Sequence, residues 1–332
     1  MKQTVRIICI ISALALLGAV LCSCGDRART ITGFGLNTVV SVTVFDGDEA
    51  ALSDAMVLLG ELERRLSRTV ADSEIARANR SDGAPTELSA DTAELLRLAL
   101  SFSELSDGKF DITVCPATSL WDFSTAEPVI PSSDKLSDAV SRIGYEKISL
   151  SGNTLTLSGG AELDLGGIAK GYIADRMAEQ LKSAGKMHGI VNLGGNVVVF
   201  GGKADGSPFT VGIQKPFGAS GETALTLCLS DGAVATSGTY ERCFTRDGVL
   251  YHHILDPKTG MPADTGLSSV TVITGSSAEA DALSTVCFLL GETEGMALIE
   301  ERADTEAVFI REDGSLRLSS GLSRGNTFVT VQ

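Results

Sequence analysis

An α+β fold is predicted for this chain on three observations. Short apolar segments alternate like strands and are joined by hairpin-type turns. Helical apolar spacing is confined to separate blocks between them. No internal repeat or low-complexity linker interrupts the body, so the segments belong to one continuous unit rather than strung modules.

Taken in order, residues 38–45 alternate like a strand, and from Asp48 the residues Leu52, Ala55, Met56, Leu59, Leu62 and Leu66 fall on one helical face. Ser89 caps a second helix with Leu95, Leu96, Ala99, Phe102 and Leu105 inside, ending at Asp107-Gly108, and 110–114 is expected as a strand. Residues 147–150 and 154–157 form a hairpin turned by Ser151-Gly152-Asn153. Residues 162–165 then lead as a strand into a glycine pair and a helix over 168–184. Strands are expected over 190–200, 209–214, 224–229 and 269–274, helices over 278–289 and 292–300, and a closing β section over 307–331.

With 332 residues, 43% hydrophobic and 21% charged, the composition is that of an ordinary globular protein of one large or two closely packed domains. Lys+Arg 27 against Asp+Glu 42 gives a net charge of -15 with no basic run, which argues against nucleic-acid partners. An anionic ligand would need local compensation from a metal, a helix N-terminus or single cations.

At the N-terminus, Lys2 and Arg6 precede an apolar run over 7–20 and the sequence Leu21-Cys22-Ser23-Cys24. Roughly 14 apolar residues fall short of the 18 or more of a membrane span, so the segment is expected to be a lipoprotein signal (1–23). Cys24 is then acylated, 24–30 is a tether, and the body occupies 31–332 on the outer face of the cytoplasmic membrane. The remaining Cys115, Cys228, Cys243 and Cys287 show no metal spacing, and an exported disulfide or buried thiols fit equally.

Four segments carry chemistry. In Asp164-Leu165-Gly166-Gly167-Ile168-Ala169-Lys170-Gly171-Tyr172 a glycine pair meets a helix start, whose free N–H groups can cradle a phosphate. The pair alone reads more often as a tight β-to-α connection; Asp164 before it and Lys170 after it shift the balance to a ligand site. Asn192-Leu193-Gly194-Gly195-Asn196 reads as a bulge in a twisted sheet. His252 and His253 precede the turn sequence Asp256-Pro257-Lys258-Thr259-Gly260, where a general base could reach a hydroxyl, and strand alternation lets at most one of them face a site. Asp281 and Thr285, four apart on a helix, offer hard oxygen ligands of the kind magnesium takes, although such a pair is common on solvated helices.

Together with Ser73-Glu74-Ile75, Asn79, the segment from Asp107-Gly108-Lys109 to Val114, Trp121, the segment from Ala235 to Tyr240 and His253-Ile254-Leu255-Asp256-Pro257, these motifs resemble the FAD:protein FMN transferase (ApbE) family over about residues 34–290. The resemblance implies a mixed α+β body with a tunnelling-fold-like core. It implies FAD contacts from Lys109, Phe110, Asp111, Asp164, Lys170 and Ile254, and Mg2+ held by the Gly167 carbonyl with Asp281 and Thr285. His253 matches the base. Two departures stand out: Leu36-Asn37-Thr38 replaces a frequent Met-Gly-Thr, and Thr69 matches the position of an aromatic that in some members of the family stacks on the flavin. Leu36 remains an apolar wall for FAD, with Tyr240 and Phe110 as further candidates to grip the ring.

The implied reaction passes FMN from FAD, with Mg2+, onto a Thr or Ser hydroxyl of a partner flavoprotein and releases AMP. The partner is an acceptor subunit of a membrane redox complex or an FMN-binding-domain protein. Rival readings are an FAD pyrophosphatase using water in place of the acceptor, and an FAD-binding lipoprotein without catalysis.

Overall fold

The computed structural model describes residues 28–331 apart from 46, 48, 124, 126, 220 and 325–328. The expected signal (1–23), Cys24 and most of the tether lie outside the described residues.

Eight strands form one antiparallel sheet: β1 (Arg29–Gly35), β2 (Thr38–Val44), β6 (Gly189–Leu193), β7 (Asn196–Phe200), β10 (Gly232–Gly238), β13 (Leu267–Thr274), β14 (Glu306–Arg311) and β15 (Leu316–Leu318), in that spatial order. Alternation along the central strands shows why both faces are covered. Val270 and Val272 of β13 enter one core with Ala307 and Phe309 of β14, whereas Ile273, Val308 and Ile310 enter another on the opposite face. The first face carries helices α1 (Glu49–Leu66), α6 (Ala169–Ser183) and α7 (Ser277–Glu300). The second carries a small sheet of β16 (Thr330–Val331), β9 (Thr223–Leu229) and β8 (Phe209–Gln214). Helices segregated to one face of an antiparallel sheet is the expected α+β arrangement.

Between α1 and α6 run α2 (Glu74–Asn79), α3 (Ala90–Leu105), α4 (Cys115–Thr118) and α5 (Ser133–Arg142), with β3 (Thr86–Glu87), β4 (Ile148–Ser151) and β5 (Thr154–Leu157) as a small sheet. Ser89 caps α3 by accepting from the Thr92 N–H, and β4 with β5 forms the expected hairpin, although Ser151 pairs with Thr154 and so leaves Gly152-Asn153 alone as the turn. The two late helices form one run broken at Gly291, whose φ of 78° and ψ of 176° lie outside the helical region, between the two expected segments. A two-stranded hairpin, β11 (Cys243–Arg246) and β12 (Val249–His252), stands apart from the large sheet. The closing β section is interrupted by α8 (Ser320–Arg324). Cys115, Cys228, Cys243 and Cys287 are all free thiols.

Three local expectations change. Residues 110–114 are not a strand, because the Asp111 carboxylate turns the chain: Oδ1 accepts from Thr113 N–H (2.8 Å) and its hydroxyl (2.6 Å), and Oδ2 from Tyr145 N–H (2.8 Å). Residues 162–165 form no strand: a single isolated bridge of Glu162 with Val114 and one backbone bond from Asp164 N–H to the Ile112 carbonyl (2.8 Å) stand in place of a ladder. The glycine pair at 194–195 is not a bulge but a hairpin turn that splits the expected 190–200 strand into β6 and β7. Both glycines have positive φ (62° and 97°), as a two-residue hairpin loop of this kind requires, and Asn192 Oδ1 receives the Gly195 N–H.

Candidate active site

A cleft of about 350 Å³ lies where the loop after α3, the glycine turn before α6, the first half of α7, the end of β10 and the segment after β12 converge. Of the residues singled out from sequence, Lys109, Phe110, Asp111, Asp164, Gly167, Lys170, His253, Ile254, Asp281 and Thr285 all line it. Leu36 does not. It occupies the first loop position of the β1–β2 hairpin (φ 54°), with its N–H donated to Glu63 Oε1 (2.9 Å) and its side chain against the core, so it forms no wall of this cleft. Tyr240 is also absent from the lining and packs edge-on against Phe217. Phe110 lines the cleft but is 4% exposed and lies edge-to-face on Phe102, so it offers little open ring surface.

The glycine turn is held from several sides. Asn79 clamps the backbone at Leu163, accepting its N–H (2.7 Å) and donating to its carbonyl (2.9 Å). Asp164 Oδ1 then accepts from Gly166 N–H (2.9 Å), and Oδ2 is met by Arg68 Nε (3.0 Å) and the Thr118 hydroxyl (2.9 Å). A Cβ at Gly167 would come within 2.9 Å of the Phe110 ring and 3.7 Å of Thr285 Oγ1, so the turn approaches both closely.

From this turn α6 leads straight onto α7. Gly171 N–H donates to Asp281 Oδ2 (3.0 Å) and Lys170 Nζ pairs with Oδ1 (3.3 Å), while a Cβ at Gly171 would lie 2.1 Å from the Ser277 carbonyl. The Thr285 hydroxyl, one turn beyond Asp281, bonds Ser237 Oγ of β10 (2.9 Å). The Asp281 carboxylate, the Thr285 hydroxyl and the adjoining Gly167 backbone make an all-oxygen donor set. It suits a hard cation such as Mg2+, which takes its remaining ligands from phosphate and water. Among the described residues no cluster of three or more His, Cys, Asp or Glu side chains is gathered.

The two histidines separate as alternation requires. His252 is buried, bonding the Ala263 carbonyl through Nε2 (3.1 Å) and meeting Phe288 edge-on. His253 lines the cleft, its Nδ1 buried without a hydrogen-bond partner among the described residues. Burial, reinforced by Arg242 and Lys170, pushes its pKa down to about 3, so the ring is a neutral imidazole. Burial likewise raises the Asp111 carboxyl above its ordinary value, although three donors oppose this.

On the other side Trp121 and Phe123 line the cleft, stacked at 5.5 Å between ring centroids. Behind them Tyr251 and Phe244 stack at 5.1 Å, and Trp121 Nε1 donates to the Gly260 carbonyl (2.9 Å), tying this wall to the 256–260 turn. Lys109 Nζ lies 3.5 Å from Asp256 at the same turn. Arg68, Thr118, Glu241 and Arg242 also line the cleft and were missed from sequence. None lies in a glycine-rich or acid-rich motif, and only tertiary packing brings them here.

A cleft joining a glycine turn, a helix-borne carboxylate and hydroxyl, and a neutral imidazole defines a class of protein that handles a phosphate-bearing ligand. The model of the ApbE family matches residues 36–309, and the chain belongs to that family. It is 35% identical to the FAD:protein FMN transferase of Treponema pallidum (strain Nichols) over 343 residues, covering 95% of each chain. It is 32% identical to that of Klebsiella pneumoniae (strain 342) over 299 residues, covering 89% of this chain and 93% of the relative. Among solved structures it superposes on the ApbE protein of Thermotoga maritima with a TM-score of 0.82 at 31% identity, covering 90% of this chain and 98% of that one. For the flavin transferase ApbE of Vibrio cholerae the TM-score is 0.79 at 30% identity, with 90% and 98% covered.

Proposed function

We propose that this chain is an FAD:protein FMN transferase that uses Mg2+ and moves FMN from FAD onto a Thr or Ser hydroxyl of a flavoprotein acceptor. The observation that carries the reading is the convergence, in a chain similar to such transferases along nearly its whole length, of Gly167, Lys170, Asp281, Thr285 and His253 on one cleft.

The cleft's own charge argues for a cation. Its lining holds Arg68, Lys109, Lys170 and Arg242 against Asp111, Asp122, Asp164, Glu241 and Asp281, four positive groups to five negative. A diphosphate therefore gains no net attraction from the lining, within a protein of net charge -15. Asp281, Thr285 and the Gly167 carbonyl would hold the metal, which when bound supplies charge neutralisation at the diphosphate oxygens.

The glycine turn and Lys170 hold the diphosphate, and Ile254 with Leu255 gives the ligand an apolar wall. The acceptor hydroxyl oxygen forms a bond to the FMN-side phosphorus while that phosphorus loses its bond to the bridging oxygen, which leaves with AMP. His253, neutral and lining the cleft, takes the hydroxyl proton on its imidazole. Positioning and electrostatics carry most of the acceleration.

The N-terminal pattern supports an exported enzyme acylated at Cys24 and held on the outer face of the cytoplasmic membrane, near membrane redox subunits or FMN-binding-domain proteins that serve as acceptors. Replacing Cys24 by Ala is expected to leave the protein unprocessed or unanchored, as membrane fractionation would show.

The decisive experiment incubates the purified protein with FAD, Mg2+ and a candidate acceptor domain and weighs the acceptor. An FMN-sized mass gain with release of AMP is expected. Release of FMN and AMP with the acceptor unchanged would make the protein a pyrophosphatase, and FAD binding without turnover would leave a binding lipoprotein. Asp281→Asn removes a full charge from the metal-holding group, so turnover should fall steeply and recover only in part with excess Mg2+. Full activity of that variant at low Mg2+ would remove Asp281 from the metal site.

A further inference from the structure

Asp175 lies four residues after Gly171, on the same face of α6, and aims at the start of α7. Its Oδ1 accepts from Ser277 N–H (2.8 Å), and its Oδ2 accepts from Ala278 N–H (2.9 Å) and the Ser276 hydroxyl (2.8 Å). Two backbone donors of the α7 N-terminus, left without partners inside the helix, are thus answered by a carboxylate on another helix. One turn along, the direction reverses, with Gly171 N–H donating to Asp281 Oδ2. Residues 171 and 175 of α6 and residues 277, 278 and 281 of α7 therefore form a reciprocal clasp, each helix supplying one carboxylate to the other's backbone. The absence of a side chain at Gly171, which faces the Ser277 carbonyl, lets the backbones close to this distance.

We propose that Asp175 is a positioning residue that sets α7 against the helix beginning at the glycine turn, and so fixes the spacing between Asp281 with Thr285 and Gly167 with Lys170. The inference rests on the reading of Asp281 and Thr285 as metal-holding groups. Asp175 does not line the cleft. Its effect is expressed through the geometry in which Asp281 presents its oxygens. Ser276 separates this role from ordinary capping, since its hydroxyl also caps α7 by accepting from Glu279 N–H, and its loss leaves the bonds of Asp175 to Ser277 and Ala278 in place.

The test uses the full chain with FAD, comparing Asp175→Asn, Asp175→Glu, Ser276→Ala and Asp281→Asn. Apparent KM for Mg2+ and kcat are measured in turnover, and Mn2+ binding to the FAD-loaded protein is followed by EPR without turnover. In Asp175→Asn, Mn2+ affinity should weaken and KM for Mg2+ rise about tenfold or more, with kcat at saturating metal within about threefold. Asp175→Glu, which keeps the carboxylate, should recover part of that loss. Ser276→Ala should lose thermal stability yet keep its metal parameters within about twofold. Unchanged metal affinity in Asp175→Asn, or equal weakening in Ser276→Ala, would overturn the positioning role. Should Asp175→Asn fail to fold, Asp175→Glu decides: wild-type metal affinity in a folded Glu variant whose melting temperature has dropped means that Asp175 serves stability alone. If Asp281→Asn itself leaves Mn2+ binding intact, the metal reading fails instead, a result distinct from an unchanged Asp175→Asn beside a defective Asp281→Asn.

Discussion

Along the helix side of the cleft, polar groups are answered by directed bonds: Asp281 by Gly171 N–H and Lys170, Thr285 by Ser237, and Asp164 by Arg68, Thr118 and Gly166 N–H. Along the opposite side Trp121, Phe123, Phe244 and Tyr251 lie ring against ring at 5.1–5.9 Å. Directed bonds fix atoms to tenths of an ångström and fail abruptly when geometry slips. Stacked rings give area and shape, and tolerate small displacements. The polar side is therefore where chemistry should be sensitive to substitution, and the aromatic side where ligand binding should change by degrees.

The hardest blow to that contrast is Gly171→Ala. The added methyl would sit 2.1 Å from the Ser277 carbonyl, a backbone atom that cannot rotate away, so α6 and α7 must part and the bond to Asp281 goes with them. Overpacking of this kind typically costs about 1–3 kcal/mol of stability, occasionally more. Turnover should fall to background, with thermal unfolding and FMN transfer as the measurements. A stable variant with near wild-type transfer would mean that the clasp is not what sets the polar side.

Next comes His253. A positioned base contributes roughly a hundredfold to ten-thousandfold to a proton transfer, so His253→Ala should bind FAD and transfer FMN very slowly. His252→Ala should keep the transfer step and lose stability, because that ring is packed on Phe288 and bonded to Ala263. Reversed effects on transfer would assign the base to His252.

The pKa of about 3 at His253 yields a milder, pH-dependent expectation. The folded ring stays neutral where the unfolded one, near 6.5, takes a proton. Stability linked to His253 is therefore fully present above about pH 6.5 and is lost progressively as pH falls towards 3. A His253→Gln variant should show a flatter stability profile between pH 6.5 and 4. The free enzyme's kcat/KM should show no acid limb near 6.5 from this group. Such a limb, abolished in the variant, would show that the ring is solvated.

Much of this was legible before any coordinates, and unevenly so. Amphipathic spacing at Leu52, Ala55, Leu59 and Leu62 reports burial directly, so α1 could be read from it. The glycine turn and the Asp281–Thr285 pair are common local patterns, and it was their order along the chain, resembling a known family, that gave them a meaning as a site. Residues 110–114 misled because Phe110, Ile112 and Val114 alternate like a strand, while the Asp111 side chain, bonding Thr113 and the distant Tyr145, bends the chain. Leu36 misled because correspondence to a family motif carries no information about its orientation, which the hairpin turn and Glu63 decide. Arg68 and Arg242 were invisible because single arginines acquire meaning only from what the fold sets beside them. The role of Asp175 was hidden for the same reason, its partners lying about a hundred residues away.

The gentlest test addresses the aromatic side through Phe244→Leu. Phe244 does not line the cleft but supports those residues that do, stacking on Tyr251 at 5.1 Å and tilting against Phe123 at 5.9 Å. Each aromatic pair is worth about 0.5–1.5 kcal/mol beyond area burial, and leucine keeps most of the apolar volume. The cleft residues Trp121 and Phe123 should loosen without leaving, since Trp121 is also held by its bond to the Gly260 carbonyl. A factor of ten corresponds to about 1.4 kcal/mol. KM for FAD or for the acceptor should therefore rise by no more than about tenfold while kcat stays within about twofold, as steady-state transfer rates would show. A hundredfold fall in kcat at unchanged KM would place the aromatic side within the reacting geometry, and the division between a side that reacts and a side that holds would fail.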